Sequence, residues 1–124
     1  MNCFNLSPLP HTWLLDLDGT LLKHNGYKID GEDSFLPGMK SFLEGLPPQD
    51  MIIILTSREE LNAKETEAFL HRHGVRFDSI VYKVPFGERV LINDRKPSGL
   101  NTALAINVER DKGCQFGYLV DNNL

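Results

Sequence analysis

The chain has 124 residues, of which 41% are hydrophobic and 24% are charged, and its formal net charge at pH 7 is −4. This composition fits one ordinary domain, residues 1–124, with a single core. The acidic balance argues against a nucleic-acid partner, since phosphate backbones are bound by clustered Lys and Arg. The two cysteines have neither metal-ligand nor CxxC spacing, which is typical of reduced thiols in a cytosolic protein.

Neither a secretion signal nor a membrane span is predicted. The first residues lack the basic flank and the long apolar region of a signal peptide. No apolar run approaches the roughly 18 residues that a spanning helix needs. We therefore expect a cytoplasmic protein with no membrane partner.

Strands and helices are predicted to alternate along the chain. After a short arm, residues 12–17 form the first predicted strand, and a polar loop or small hairpin follows over 19–35. A short helix is predicted over 37–46, with a proline in its first turn. The apolar, β-branched run at 51–55 is typical of a strand that is buried on both faces.

The second half continues the same alternation. Thr56 and Ser57 precede a predicted helix that is rich in Glu, Ala and Leu and ends at Gly74. Three further strands are predicted over 79–82, 89–92 and 103–108. Strands that alternate with helices imply right-handed crossovers and a mostly parallel sheet. The predicted fold class is α/β, a sandwich of Rossmann type.

Polar side chains follow the ends of the predicted strands, where ligands bind in such sheets. Asp16 and Asp18 are two residues apart, so their side chains point the same way in an extended chain. Two close carboxylates repel unless a cation or proton separates them, and with Asp94 they form an oxygen-rich set suited to Mg²⁺. Together with the hydroxyl of Thr56 and a lysine, this set indicates phosphoryl transfer through an aspartyl phosphate.

Three stretches of the sequence resemble motifs of the haloacid dehalogenase (HAD) superfamily. DLDGTL at 16–21 is similar to the first signature, ILTSR at 54–58 to the second and VLINDRKP at 90–97 to the fourth. The resemblance extends over residues 12–110 and implies a three-layer, Rossmann-like core with a mostly parallel sheet. Because the chain has no room for an inserted domain between these motifs, it resembles the small, cap-free members.

The resemblance implies roles for the acidic residues. Asp16 is expected to attack phosphorus, and Asp18 is expected to protonate the leaving oxygen and then activate the hydrolytic water. Asp16, Asp18 (through its main-chain carbonyl) and Asp94 are expected to hold Mg²⁺. A carboxylate at Asp18 favours hydrolysis of a phosphomonoester, because family members that are ATPases lack it.

The phosphate-binding groups are less sharply defined. Thr56 has the phosphate-binding position of the second motif, with Ser57 beside it, although both also suit a helix N-cap. The phosphate-binding lysine is either Lys83, which follows the third predicted strand and is favoured, or Lys96, which lies beyond the fourth motif's acid. Asn93 precedes that acid where many relatives have a second acid or a glycine, so its contribution to the metal site stays open.

These roles predict an Mg²⁺-dependent phosphomonoester hydrolase. A loose likeness to small phosphatases of bacterial capsule and lipopolysaccharide pathways makes a sugar phosphate the expected substrate. Without a cap the site is open, so a homo-oligomer in which a neighbouring subunit covers the site is also expected. Arg58 lies either near the site or on the surface of the following helix.

Two alternatives share some of these features. A response-regulator receiver domain also combines acids, a hydroxyl and a lysine, but its phosphorylated aspartate follows the third strand, where this chain has Tyr82 and Lys83. A non-catalytic HAD-like module that binds a phosphorylated ligand or a protein partner stays open. Turnover of any phosphomonoester with Mg²⁺ separates that module from an enzyme.

Overall fold

Five strands and three α-helices are present in the computed structural model, which describes residues 2–124. The strands are β1 (Asn2–Leu6), β2 (Thr12–Asp16), β3 (Met51–Leu55), β4 (Ser79–Val81) and β5 (Phe116–Val120). The helices are α1 (Gly26–Ile29), α2 (Met39–Glu44) and α3 (Ala63–Arg72), and a 3-10 turn at Glu60–Asn62 precedes α3.

The strands form two sheets, and each strand pair within the described residues is parallel. β2, β3 and β4 lie side by side in that order, with Asp16 of β2 opposite Leu55 of β3. β1 pairs with β5, so the first and last strands of the chain are neighbours. The prediction of an α/β fold with parallel strands is confirmed. The parallel pairing brings the residues after β2 and the residues after β3 to one edge of the sheet.

The central strand β3 has the bounds that the sequence predicts. Its β-branched residues favour an extended backbone, and Ile52 and Ile54 are fully buried. The core that they join contains apolar side chains from both halves of the chain. Its fully buried members are Leu17, Leu21, Leu22, Met39, Ile52, Ile54 and Leu70. Because three of these residues lie in 17–22, the turn after β2 is part of the core.

The helices are shorter than predicted, for local reasons. Gly38 has φ +77°, which is left-handed, so α2 begins at Met39 rather than at 37. The segment after β3 stays extended because its backbone bonds to the segment after β4. The N–H of Thr56 donates to Val81, and the N–H of Val84 donates back to Thr56. Helical structure therefore starts only at Glu60.

Two predicted strands are wrong. Residues 89–92 and 103–108 contain neither helix nor strand, and most of their apolar side chains are open to solvent, with Val90 79% and Ile92 88% exposed. β-Branched runs have a local preference for extended backbone, but a strand needs a neighbour with which to pair. The real additional strands are β1, in the region predicted to be an arm, and β5, which the sequence did not indicate.

The loop predicted over 19–35 holds α1 and folds back onto the core. Leu22 forms an isolated antiparallel bridge with Phe35, which closes the loop at its base.

No helix within residues 2–124 is both long enough and apolar enough to cross a bilayer.

Candidate active site

The chain reverses tightly after β2. The carbonyl oxygen of Leu17 accepts backbone hydrogen bonds from residues 20–22, at 3.3, 2.9 and 3.0 Å. Gly19 has φ +88°, and a Cβ at this position would lie 3.1 Å from Cγ of Arg110. Both the left-handed backbone and the close side chain favour glycine. The turn buries Leu17 completely and leaves its two acidic neighbours, Asp16 and Asp18, partly exposed.

Asp16 lies at the last position of β2, and its side chain is 34% exposed. The hydroxyl of Thr20 donates to its Oδ2 at 3.0 Å, which fixes the carboxylate within the turn. Nη1 of Arg89 donates to its Oδ1 at 2.9 Å, and the Arg89 side chain is itself 37% exposed. The expected nucleophile is therefore held in place on one oxygen and covered by a solvent-exposed cation on the other.

Asp18 is held more firmly than Asp16, by the buried side chain of Arg58. Nε of Arg58 donates to Oδ2 of Asp18 at 3.0 Å, and Nη2 donates to Oδ1 at 2.8 Å. Because arginine N–H groups only donate, both oxygens of Asp18 act as acceptors in this arrangement. Its side chain is 18% exposed, whereas that of Arg58 is 3% exposed.

Arg58 also binds residues from two other parts of the chain. Asp33 accepts from Nη2 at 2.7 Å and from Nη1 at 3.0 Å, and the hydroxyl of Thr66 in α3 accepts from Nη1 at 3.0 Å. The ring of Tyr27 lies over the guanidinium, with Cζ 4.2 Å from the ring centroid. This buried group joins the turn after β2, the loop before α2 and helix α3.

The charges around Arg58 have a simple electrostatic consequence. Burial acts to lower the pKa of Arg58, but its hydrogen bonds to Asp18 and Asp33 outweigh burial and raise the pKa above the ordinary arginine value. Burial and a 2.9 Å hydrogen bond to Glu67 raise the pKa of Tyr82 above the ordinary tyrosine value. Both groups keep their protons at neutral pH.

Thr56 and Ser57 lie beside this group and have local hydrogen-bond partners. Thr56 is fully buried, and its hydroxyl oxygen accepts from the N–H of Arg58 at 3.1 Å. The hydroxyl of Ser57 donates to the carbonyl of Val84 at 2.7 Å. Both residues follow Leu55, which lies opposite Asp16, and both hydroxyl contacts stabilise the loop in which they lie.

The two candidate lysines occupy different surroundings. Lys83 has φ +59° and its N–H donates to the carbonyl of Arg58 at 2.9 Å, so its backbone lies alongside the site. Lys96 belongs to an exposed turn, in which its N–H donates to Leu100. The structure therefore places the backbone of Lys83 next to a residue that follows β3.

Asp94 lies in the same exposed segment as Lys96. Its carbonyl accepts a hydrogen bond from the hydroxyl of Thr102, which in turn accepts one from the side-chain amide of Asn93 at 2.7 Å. Within residues 2–124, no group of three or more His, Cys, Asp or Glu side chains is placed to hold a metal ion. Asp16 and Asp18 supply hard oxygen donors, but each is paired with an arginine and Asp94 is not grouped with them. The described arrangement does not fit a complete Mg²⁺ site.

The most connected side chains of the site are those that the sequence left open or did not single out. Arg58 follows a predicted strand end, which is a real positional signal, and the structure places it inside the site rather than on the surface. Asp33 lies in a polar loop that has no periodic pattern, and nothing local marks it as a partner of Arg58. Arg89 was assigned to a strand, which hid its contact with Asp16.

Comparisons with protein-family models, with curated protein sequences and with solved structures give no match to this chain. The function is therefore inferred from the geometry and from the three motifs. That geometry places one carboxylate partly open to solvent, a second carboxylate held by a buried arginine, and exposed cations on the neighbouring loops.

Proposed function

We propose that the protein is a HAD-type phosphatase that hydrolyses phosphomonoesters through a covalent intermediate on Asp16. The observation that carries the proposal is the pair of carboxylates on the turn after β2, of which Asp16 is partly open to solvent and Asp18 is fixed beside it. The resemblance of residues 16–21, 54–58 and 90–97 to HAD motifs supports the same reaction and a three-layer core.

The chemistry follows from the two carboxylates. An oxygen of Asp16 attacks phosphorus, a P–O bond to Asp16 forms, and the P–O bond to the leaving group breaks. Asp18 supplies the proton that the leaving oxygen takes up. In the second step Asp18 accepts a proton from water as the water attacks phosphorus, which releases phosphate and regenerates the Asp16 carboxylate.

Arg89 and Lys83 are the cations that a phosphate group meets at this edge. Oδ1 of Asp16 is free to attack only when Nη1 of Arg89 leaves it, and the incoming phosphate dianion is a stronger acceptor for a guanidinium than one carboxylate. Lys83 reaches the same edge through its backbone contact with Arg58. Charge from both side chains favours the transferring phosphoryl group.

Mg²⁺ belongs to the proposal as the cofactor that the HAD resemblance implies. The ligands would be Asp16, the main-chain carbonyl of Asp18, and Asp94, and the ion would supply positive charge to the phosphoryl oxygens. Binding requires Arg89 to release Asp16 and the exposed segment at 86–110 to bring Asp94 closer.

The proposed substrate is a small sugar phosphate of a bacterial polysaccharide pathway, acted on in the cytoplasm. The likeness to small capsule and lipopolysaccharide phosphatases supports the sugar. The turn and loop over 19–35 leave Asp16 open at the surface, and a second copy of the chain is the proposed cover.

A second candidate is a non-catalytic module that binds a phosphorylated ligand or a protein. One observation favours it: Asp16 and Asp18 are both already paired with arginines, as in a site that holds charge without turning over. The exposed apolar side chains of 86–110, among them Phe86 at 94% exposure, offer a surface for a protein partner.

The test is a turnover screen over phosphorylated sugars and other metabolites, with Mg²⁺, with Mn²⁺ and with EDTA. Release of inorganic phosphate from at least one sugar phosphate with Mg²⁺, abolished by EDTA, is the expected result. Tight binding of phosphorylated compounds without any phosphate release selects the binding module. Light scattering on the active sample measures the oligomeric state.

A further inference from the structure

The hydrogen bonds of Arg58 are complete, and this limits what the side chain can do. A guanidinium has five N–H donors, and here Asp18 takes two, Asp33 takes two and Thr66 takes one. Tyr27 covers a face of the group. No donor is left for a substrate phosphate, so Arg58 does not bind phosphate unless it first releases a carboxylate.

The same bonds make Arg58 a rigid support for Asp18. A planar, bidentate pair fixes both the position and the plane of the carboxylate. The Arg58 side chain is 3% exposed and that of Asp33 is 7% exposed, so neither has room to swing into solvent. Asp33 binds the side of the guanidinium that faces away from Asp18. Without Asp33, only one carboxylate would hold the guanidinium instead of two.

We propose that Arg58 and Asp33 are positioning residues for Asp18, with Asp33 acting through Arg58. The inference rests on the proposed function, in which Asp18 moves protons in both half-reactions. Proton transfer needs the donor and acceptor within hydrogen-bond reach, and small misplacements slow it strongly. The support matters most in the second half-reaction, where Asp18 must orient a small and mobile water molecule.

Asp33→Asn is the central test, because asparagine keeps the shape but has one acceptor oxygen where aspartate has two. We expect kcat to fall about tenfold or more while KM changes less than about twofold. Arg58→Lys keeps the charge but not the planar fork, and we expect a larger loss of kcat, roughly a hundredfold. Asp30→Asn is the matched control, since Asp30 is an exposed carboxylate in the same loop, paired with Lys23.

A covalent readout separates positioning from a general loss of structure. An aryl phosphate has a leaving group that needs no proton, so only the second half-reaction depends on Asp18. With this substrate we expect the Asp33→Asn and Arg58→Lys variants to accumulate phosphorylated protein, detected by intact mass after acid quenching. A partly unfolded variant loses activity without accumulating the intermediate.

The outcomes are distinct. If the wild-type protein releases no phosphate from any phosphomonoester, the proposed function is overturned and this role of Arg58 and Asp33 with it. If the wild type turns over and Asp33→Asn has the same kcat and no accumulated phosphoprotein, only the positioning role is overturned. If Arg58→Lys fails to fold, Asp33→Asn decides the question alone.

Discussion

The two ends of strand β2 each bury a charged side chain, and they do so in opposite ways. At the carboxyl end, the buried group is the cation Arg58, held between Asp18 and Asp33. At the amino end, the buried group is the anion Asp50, whose side chain is 1% exposed. Both groups tie the strand to neighbouring loops, and each has a partner that is about one-fifth exposed, Asp18 at 18% and His11 at 19%. The difference is that the neighbour of Asp18, Asp16, is also open to solvent, at 34%.

The Asp50 carboxylate is enclosed by donors. It accepts from the N–H of His11 at 3.0 Å and from the indole N–H of Trp13 at 2.9 Å, and Nδ1 of His11 lies 3.2 Å from Oδ2. Nε2 of His11 lies 2.9 Å from the carbonyl of Ser7. Both ring nitrogens of His11 therefore lie within hydrogen-bond distance of an oxygen, one on Asp50 and one on Ser7.

The carboxylates at the two ends of β2 have different roles, one in stability and the other in chemistry. The Asp50 carboxylate is buried and already hydrogen-bonded to His11 and Trp13. Its contacts stabilise the fold by holding β2 and the start of β3 together. Asp16 and Asp18 keep 34% and 18% of their side-chain surface open, so they can meet a ligand. We therefore expect substitution of Asp16 to abolish activity with little effect on stability, and substitution of Asp50 to do the reverse.

The largest effect is expected for Asp16→Asn. An amide does not attack phosphorus, so turnover should fall by at least about a thousandfold. The free energy of unfolding should change by less than about 1 kcal/mol, because the ion pair with Arg89 is about one-third exposed on both sides. Phosphate release and urea denaturation measure the two quantities, with Asp30→Asn as the control. Near wild-type turnover in Asp16→Asn rules out the mechanism.

The mirror-image substitution is Asp50→Asn. The substitution removes the charge and turns one accepting oxygen into a donor that faces donors. Disrupting the hydrogen bonds of a buried carboxylate in this way costs about 3 kcal/mol of unfolding free energy. Turnover per folded molecule should stay within about twofold of wild type. Equal stability of wild type and variant by urea denaturation contradicts a closed structural role for Asp50.

Lys83 and Lys96 are the two candidates for the phosphate-binding lysine at the carboxyl end of β2. Lys83 lies beside the site and Lys96 lies in an exposed turn, so Lys83→Ala should lower kcat roughly a hundredfold and Lys96→Ala by less than about twofold. Kinetics of both variants at saturating Mg²⁺ make the measurement. If Lys96→Ala loses most of its kcat while Lys83→Ala keeps it, the assignment is reversed. That result would show that the segment at 86–110 moves onto the site.

The amino end also predicts a pH dependence of stability. Burial acts to raise the pKa of Asp50, but the hydrogen bonds from Trp13 and His11 outweigh it and lower the pKa below the ordinary value. The group therefore stabilises the fold fully above the ordinary aspartate pKa of about 3.9, and this contribution is lost as pH falls from there toward the folded-state value. The difference in unfolding free energy between wild type and Asp50→Asn should be constant near pH 5 and shrink below about pH 4. A difference that grows toward low pH contradicts this sign.

The smallest shift is expected in the Mg²⁺ requirement of Arg89→Gln, apart from the fall in kcat that the loss of this cation causes. The Arg89–Asp16 pair is about one-third exposed on both sides, so breaking it is worth at most about 1 kcal/mol. Freed from this competitor, Asp16 should reach half-maximal Mg²⁺ activation at a concentration up to about fivefold lower. A Mg²⁺ titration of turnover measures the shift. An increase in the required Mg²⁺ shows instead that Arg89 assists the metal site.

The sequence predicted those features that a run of consecutive residues marks, and it missed those that depend on distant partners. β3 was found because five consecutive apolar residues mark a buried strand, and Asp16, Asp18 and Thr56 were found because they follow such runs directly. The runs at 89–92 and 103–108 carry the same local preference, but no partner strand lies beside them. Local pattern alone cannot report whether a partner exists.

The rest of the site depends on contacts between distant residues. Asp33 meets Arg58 across 25 residues of chain, and Arg89 meets Asp16 across 73. Asp50 follows a proline-rich turn, where an acid is ordinary, and only its partners His11 and Trp13 reveal its role. A polar residue in a loop has no periodicity, so its burial is visible only once the chain is folded.

The pairing of β1 with β5 limits when the small sheet can form during synthesis. β1 is made before β5, yet Leu6 lies opposite Val120, and Phe4 stacks on Tyr118 with ring centroids 6.1 Å apart. At roughly 10 residues per second, about ten seconds separate the synthesis of the two strands. During that interval β2 and β3 can already pair on the ribosome, while β1 waits with its backbone groups unpaired and open to other strands. The small sheet cannot close until β5 has been made, and until then β1 lacks this partner.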